Sequence, residues 1–251
     1  MAGFGLIVIG DEILSGKRED RHFPNVRQLL AERGLRLAWV SYLGDDRARL
    51  TDTLRRTFAS GDIVLSTGGI GATPDDHTRQ AAAAALGIPL VLHPEAATLI
   101  EARTREVNLP LTPERLRMGE LPAGATLIPN PVNRIPGFSV GEHHFVPGFP
   151  AMATPMIEWV LDTRYAHLFY RGDQAEASFV VHGLAEATLT PLMEAVEREL
   201  AGVRVFSLPH LDPERRTAYQ IELGAKGPPE SVTEALQRLR DGAQQLGGRI
   251  D

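Results

Sequence analysis

Three times within its first 87 residues the chain runs an apolar stretch into a turn rich in glycine and aspartate, and then into a helical pattern. The stretches are Phe4–Ile9 before Gly10-Asp11-Glu12, Leu37–Leu43 before Gly44-Asp45-Asp46, and Ile63–Leu65 before a loop holding Gly68, Gly69 and Gly71. Uninterrupted apolar runs are the mark of strands buried on both faces. Strands that alternate with helices at this spacing need crossover connections, so the chain is expected to form an α/β fold: a doubly wound, mostly parallel sheet with helices on both faces. Ligands of such sheets bind at the carboxyl ends of the strands, where the acidic turns fall.

The third turn carries the most chemistry. Glycines at 68, 69 and 71 permit positive φ and leave N–H groups uncovered by side chains, so an anion could rest against them. The helix expected from about His77 would add its positive dipole end to the same spot. Carboxylates there would repel a bare phosphate, which makes sense chiefly if a divalent cation lies between them. Adjacent side chains diverge, so Asp76 is expected to face the ligand and Asp75 to cap the helix. Asp11, Glu12 and Ser15 are placed to reach a ligand from the first turn, although an isolated Gly-Asp-Glu more often caps a turn. Either Asp45 or Asp46 could cap the helix that carries Leu50, Leu54 and Phe58.

Further along, Pro89 to His93 reads as a short strand, Pro94 to Val107 as a helix, and Pro113 opens a second helix with Thr112 as its cap. From Pro122 to Pro150, proline and glycine punctuate short apolar pieces that suggest paired strands. In the intervening loop Arg134 could clamp a phosphate, and Asn130 or Asn133 could orient a ligand hydroxyl or fix the turn. Met152, Met156, Trp159 and Val160 form the apolar face of a following helix and are read as core. After Asp162 the order becomes β-α-β-β-α, with strands near Phe179–Leu184, Val203–Leu208 and Ala218–Leu223. This predicts a second, smaller α+β domain, with residues 1–168 in the first domain and 169–251 in the second.

Several function classes fall away. The chain has no cysteine, which removes thiolate zinc sites, disulfides and cysteine nucleophiles. A net charge of −6, and no Gly-x-x-Gly loop with basic flanks, argue against a nucleic-acid partner. No apolar run approaches membrane-spanning length, so no membrane is expected and cytoplasmic residence is. The glycine loop is neither a Walker motif nor a dinucleotide fingerprint. His143 and His144 fall on alternating faces of an expected strand and cannot grip one metal; each is expected at the surface or in a cap. His77 stands apart because it opens a helix beside two aspartates.

Four stretches together resemble the CinA family (competence/damage-inducible protein A): Gly10 to Gly16, Thr67 to Thr78, the Asn130 to Gly137 loop, and Pro147-Gly148-Phe149-Pro150. They look like the family's N-terminal domain, which shares the molybdopterin-binding fold of MoaB and MogA, and they cover about two-thirds of the chain. The resemblance implies metal-dependent hydrolysis of a nucleotide diphosphate such as ADP-ribose or FAD, with pterin binding in related proteins. It places the ligand's phosphates against Gly68, Gly69, Gly71 and Thr73, with Asp75, Thr78, Ser15, Asn130 and Arg134 around them. Asp76, Asp45 and Glu12 match the carboxylates expected to hold magnesium or cobalt or to activate water. Asn133-Arg134 replaces a Gly-Thr found in many family members and His22 a usual asparagine, so substrate choice is expected to differ; Ala72 in place of a common proline is a small change. Longer family members continue beyond this stretch into an amidase domain, so nicotinamide-nucleotide deamidation is not expected of these residues. Two alternatives stand beside hydrolysis: a molybdopterin-binding protein of cofactor synthesis, and a non-catalytic binding module. Relatives with this fold form dimers or trimers, so a homo-oligomer is expected.

Overall fold

The computed structural model describes residues 3–170, 175–210 and 220–251. Two compact units divide the chain, Met1–Tyr170 and Arg171–Asp251. Residues 171–174, near the expected start of the second domain, and the expected strand start at Ala218 lie outside the described residues.

The first unit runs β1 (Phe4–Ile9), α1 (Asp11–Leu14), α2 (His22–Ala31), β2 (Leu37–Leu43), α3 (Arg47–Ser60), β3 (Ile63–Thr67) and α4 (Thr78–Leu86). It continues through β4 (Leu90–Leu92), α5 (Pro94–Glu106), α6 (Pro113–Arg117), β5 (Glu120–Pro122), β6 (Thr126–Ile128), β7 (Gly137–Val140), β8 (His143–Val146) and α7 (Pro150–Arg164). Its sheet has the order β2-β1-β3-β8-β7-β6; the first four strands are parallel, while β7 runs antiparallel to β8 and β6 antiparallel to β7. Strands β4 and β5 pair separately as an antiparallel ribbon that the sequence reading did not anticipate.

Alternation along β1 builds two cores. Leu6 and Val8 face α2 and α7, packing with Leu30, Met156 and Val160, whereas Ile7 and Ile9 face α3 and α4, packing with Leu50, Leu54 and Ala82. Leu6 and Ile7 are both fully buried, and each such side chain contributes about 1.5–3 kcal/mol by leaving water. Chain order reverses at β1: one crossover goes outward to β2 and the next returns to β3 on the other side. The crevice at that switch point, beyond the carboxyl ends of the strands, is where such sheets take ligands.

The paired histidines of β8 correct the expectation of surface or capping roles, because His143 is 2% exposed and His144 fully buried. His143 stacks on Phe58 with ring centroids 3.9 Å apart and meets Thr57 Oγ1 at 2.8 Å. His144 lies between Ser139 Oγ at 2.8 Å and Tyr165 Oη at 2.6 Å. Burial disfavours the imidazolium, holding His143 down to about 4 and His144 to about 3. Both serve the core.

In the second unit β9 (Ala175–His182), α8 (Glu186–Glu199), β10 (Arg204–His210), β11 (Gln220–Gly227), α9 (Pro229–Gln245) and β12 (Arg249–Ile250) form an antiparallel sheet of order β10-β11-β9-β12. The short β12 adds a strand to the expected β-α-β-β-α. Leu189, Leu223 and Leu239 are fully buried between sheet and helices.

Candidate functional site

The glycine loop after β3 is folded by the first turn of α4. Thr78 N and Oγ1 donate to Gly69 O and Gly68 O, both at 3.0 Å, and Arg79 Nη2 donates to Gly71 O at 2.6 Å. Arg79 is 3% exposed and also donates to Arg117 O, tying the loop to α6. With its carbonyls held this way, the loop leaves the N–H groups of Gly69, Ile70, Gly71 and Ala72 without acceptors among the described residues. Such a run of free N–H groups is an anion cradle. Gly68 has φ of +99°, and a Cβ there would lie 2.2 Å from Ile9 O; Gly69 has φ of +68°, and its Cβ would lie 2.2 Å from Thr78 Oγ1. Only glycine fits either position.

Several expectations are corrected here. Gly68 N is not free, since it donates to Val146 O at 3.0 Å. Thr73 N donates to Asp76 Oδ2 at 2.8 Å and the Thr73 hydroxyl bonds the same oxygen, so both are engaged with the carboxylate rather than open. Asp75 does not cap α4: the N-cap is His77, and no side chain bonds the helix start. The first turn of α4 grips the loop from behind, so Thr78 is a loop-building residue, fully buried.

Facing the cradle are the ends of β1 and β2. Asp46 caps α3, accepting from Arg49 N at 2.7 Å, which frees Asp45 for the site. Asp45 Oδ2 accepts from Asp11 N at 2.9 Å and Asp11 Oδ1 from Asp45 N at 3.3 Å. The Glu12 carboxylate rests over Gly10, where an added Cβ would come within 2.6 Å of Oε2. Burial first, and then the negative charges of Asp11, Glu12 and Asp75, raise the Asp45 carboxyl above its ordinary range.

These elements enclose a cavity of about 420 Å³, within the usual range for small-molecule sites. Glu12, Asp45, Asp75, Asp76 and the loop from Gly68 to Thr73 form its polar side, and Met118, Ile135, Phe149 and Met152 an apolar wall. Arg18, which the sequence reading passed over, also lines it and is its cationic side chain. Ser15, Asn130, Thr78 and Arg134 do not line it. Asn130 instead builds its loop, accepting from Val132 N at 3.0 Å and donating to Ile135 O at 3.1 Å. Arg134 pairs with Glu106 at 3.6 Å, and Asn133 takes the place at the cavity that Arg134 was expected to fill. His22 also holds the wall: it is buried and meets Gly148 O at 3.1 Å.

Glu12, Asp45 and Asp76 share the cavity, but among the described residues no three histidine, aspartate or glutamate side chains group closely enough to cage a metal. The oxygen-only donor set suits a hard cation held by one or two carboxylates and completed by a ligand's phosphates, the usual arrangement for magnesium. No helix among the described residues is long and apolar enough to cross a membrane.

Residues 5–167 match the family of probable molybdopterin binding domains. A protein of Caldivirga maquilingensis is 31% identical over 250 residues, covering 97% of this chain and 95% of its own length. A CinA-like protein of Geotalea uraniireducens is 32% identical over 252 residues, 96% of this chain, and the chain spans 58% of that relative. Among solved structures, the protein CinA of Thermoplasma acidophilum superposes with a TM-score of 0.58 at 27% identity, covering 63% of this chain and 96% of the other.

Proposed function

Since the chain belongs to the family of probable molybdopterin binding domains, and within it to the CinA-like proteins, we propose that its cavity binds a diphosphate-bridged nucleotide with a divalent cation and hydrolyses the diphosphate. The observation that carries this reading is that Glu12, Asp45, Asp75 and Asp76 line the same cavity as an anion cradle, with the Asp45 carboxyl raised by burial and by its acidic neighbours. Crowded carboxylates and an anion share one space at low cost when a cation joins them, and a diphosphate brings one.

In this reading the N–H groups of Gly69, Ile70, Gly71 and Ala72 hold phosphate oxygens. The wall of Ile135, Phe149 and Met152 takes the ring. Glu12 would hold the cation, with Asp75 close by; when bound, the cation would neutralise the phosphates and acidify a water. Asp45 Oδ1, which no hydrogen bond engages, accepts the water's proton as the water oxygen bonds phosphorus. The bridging P–O bond breaks, and two monophosphates leave. A base with a raised pKa suits this task at neutral pH.

The test is a screen of pure protein with ADP-ribose or FAD plus magnesium or cobalt. AMP release above buffer supports hydrolysis, and its absence under every metal refutes it. The apolar wall and the lack of a three-carboxylate cage favour a second reading, molybdopterin binding without turnover. That reading predicts a co-purifying pterin with pterin fluorescence and no released monophosphate.

A further inference from the structure

Arg79, the second residue of α4, places a cation behind the glycine loop and almost wholly out of water. Burying a guanidinium is unfavourable unless its donors are satisfied and its charge is paired. Neither condition is met in full. Nη1 donates to Arg117 O and Nη2 to Gly71 O at 2.6 Å, but Nε has no partner and no carboxylate accepts from the side chain among the described residues. Burial lowers its pKa, with the negative charges of Asp76 and Glu120 opposing that shift. An apolar side chain of similar volume would fill the same space without the penalty, so packing alone does not account for an arginine here.

What the guanidinium holds is a peptide plane. The C=O of one residue and the N–H of the next share a plane and, in a trans peptide, point in opposite directions. Thr78 uses this twice: its Oγ1 on Gly68 O turns Gly69 N–H outward, and its N on Gly69 O does the same for Ile70 N–H. Arg79 sets the third plane, since Nη2 on Gly71 O turns Ala72 N–H away from α4 and toward the cavity that Gly71 and Ala72 line. Unlike Thr78, it also brings a charge.

We propose that Arg79 is a positioning residue for the anion: it fixes the Gly71–Ala72 peptide with Ala72 N–H facing a phosphate, and backs that N–H with a buried positive charge. The guanidinium is not part of the cavity lining and does not touch the ligand. Behind the loop its charge is weakly screened, which favours a multiply charged group such as a diphosphate over a neutral one. This role rests on the reading of the loop as an anion seat, and it holds whether or not the bound diphosphate is hydrolysed.

Calorimetric titration of the full chain with magnesium pyrophosphate tests this role. Wild-type protein is expected to bind. Arg79→Met, which keeps the volume and loses both charge and donors, should weaken binding by roughly 30-fold or more, while Arg79→Lys, which keeps the charge and a donor, should restore all but about tenfold of the wild-type affinity. A structural role alone predicts no such rescue in two equally folded variants. In isotope-labelled wild type the Ala72 amide resonance should move as pyrophosphate is added, and it should move less in Arg79→Lys, a comparison that stands even if the methionine variant misfolds. A wild type that does not bind pyrophosphate, an Arg79→Met as tight as wild type, an Arg79→Lys no better than Arg79→Met, or an Ala72 amide indifferent to pyrophosphate would overturn the proposal. The expected binding pattern without AMP release from ADP-ribose would refute hydrolysis and leave the role of Arg79 standing.

Discussion

Asp11 and Asp45 each accept the other's backbone N–H, at 3.3 and 2.9 Å respectively, so the loops after β1 and β2 are latched by two carboxylates that repel one another. The latch holds charge where stability alone would not place it. Ionised Asp45 opposes folding, because its folded-state carboxyl titrates above the ordinary 3.8. The stability from that raised value is present at acid pH and is lost as pH rises through the folded value. Asp45→Asn keeps an acceptor for Asp11 N and removes the charge. It should melt no lower than wild type at pH 7, with the advantage vanishing below pH about 4, while turnover falls about 10²–10⁴-fold. Differential scanning calorimetry and steady-state kinetics check the two halves.

Gly68→Ala should cost about 2–4 kcal/mol in chemical denaturation, since it adds strain at a φ of +99° to a clash with Ile9 O. Folded variant should bind any anion more weakly than wild type, because the displaced loop spoils the row of free N–H groups.

Arg18→Ala should raise KM for an anionic ligand about tenfold and leave kcat within about twofold, because an exposed arginine binds ground state and transition state alike. The loss should shrink as salt is added. A kinetic series at two ionic strengths measures both.

Buried neutral histidines make the protein acid-sensitive. Each has a folded value below its ordinary 6.5, about 4 for His143 and about 3 for His144. Their contribution is therefore present above pH 6.5 and lost as pH falls toward those folded values. Unfolding free energies from urea titrations should drop steeply between about pH 6.5 and 4, by on the order of 3 kcal/mol per histidine. His143→Phe, which can keep the stack on Phe58, should flatten the slope.

Local pattern reached the scaffold and stopped short of the tertiary partners. Strands β1 and β2 have the limits that their apolar runs suggest, and Asp46 took the cap that left Asp45 free. His143 gave no sign of burial because its partners, Thr57 and Phe58, lie on a different element. Arg134 looked like a phosphate clamp by residue type, and its pairing with Glu106 depends on how α5 packs. Arg18 followed a motif without belonging to a recognisable spacing, and only the closure of the cavity around it marked it.

The most direct measurement is release of AMP from ADP-ribose by the pure protein as magnesium is titrated in and then removed with EDTA. The account predicts product that saturates with metal, stops on chelation and is lost in Asp45→Asn. Tight ligand binding with no AMP under any metal would contradict it.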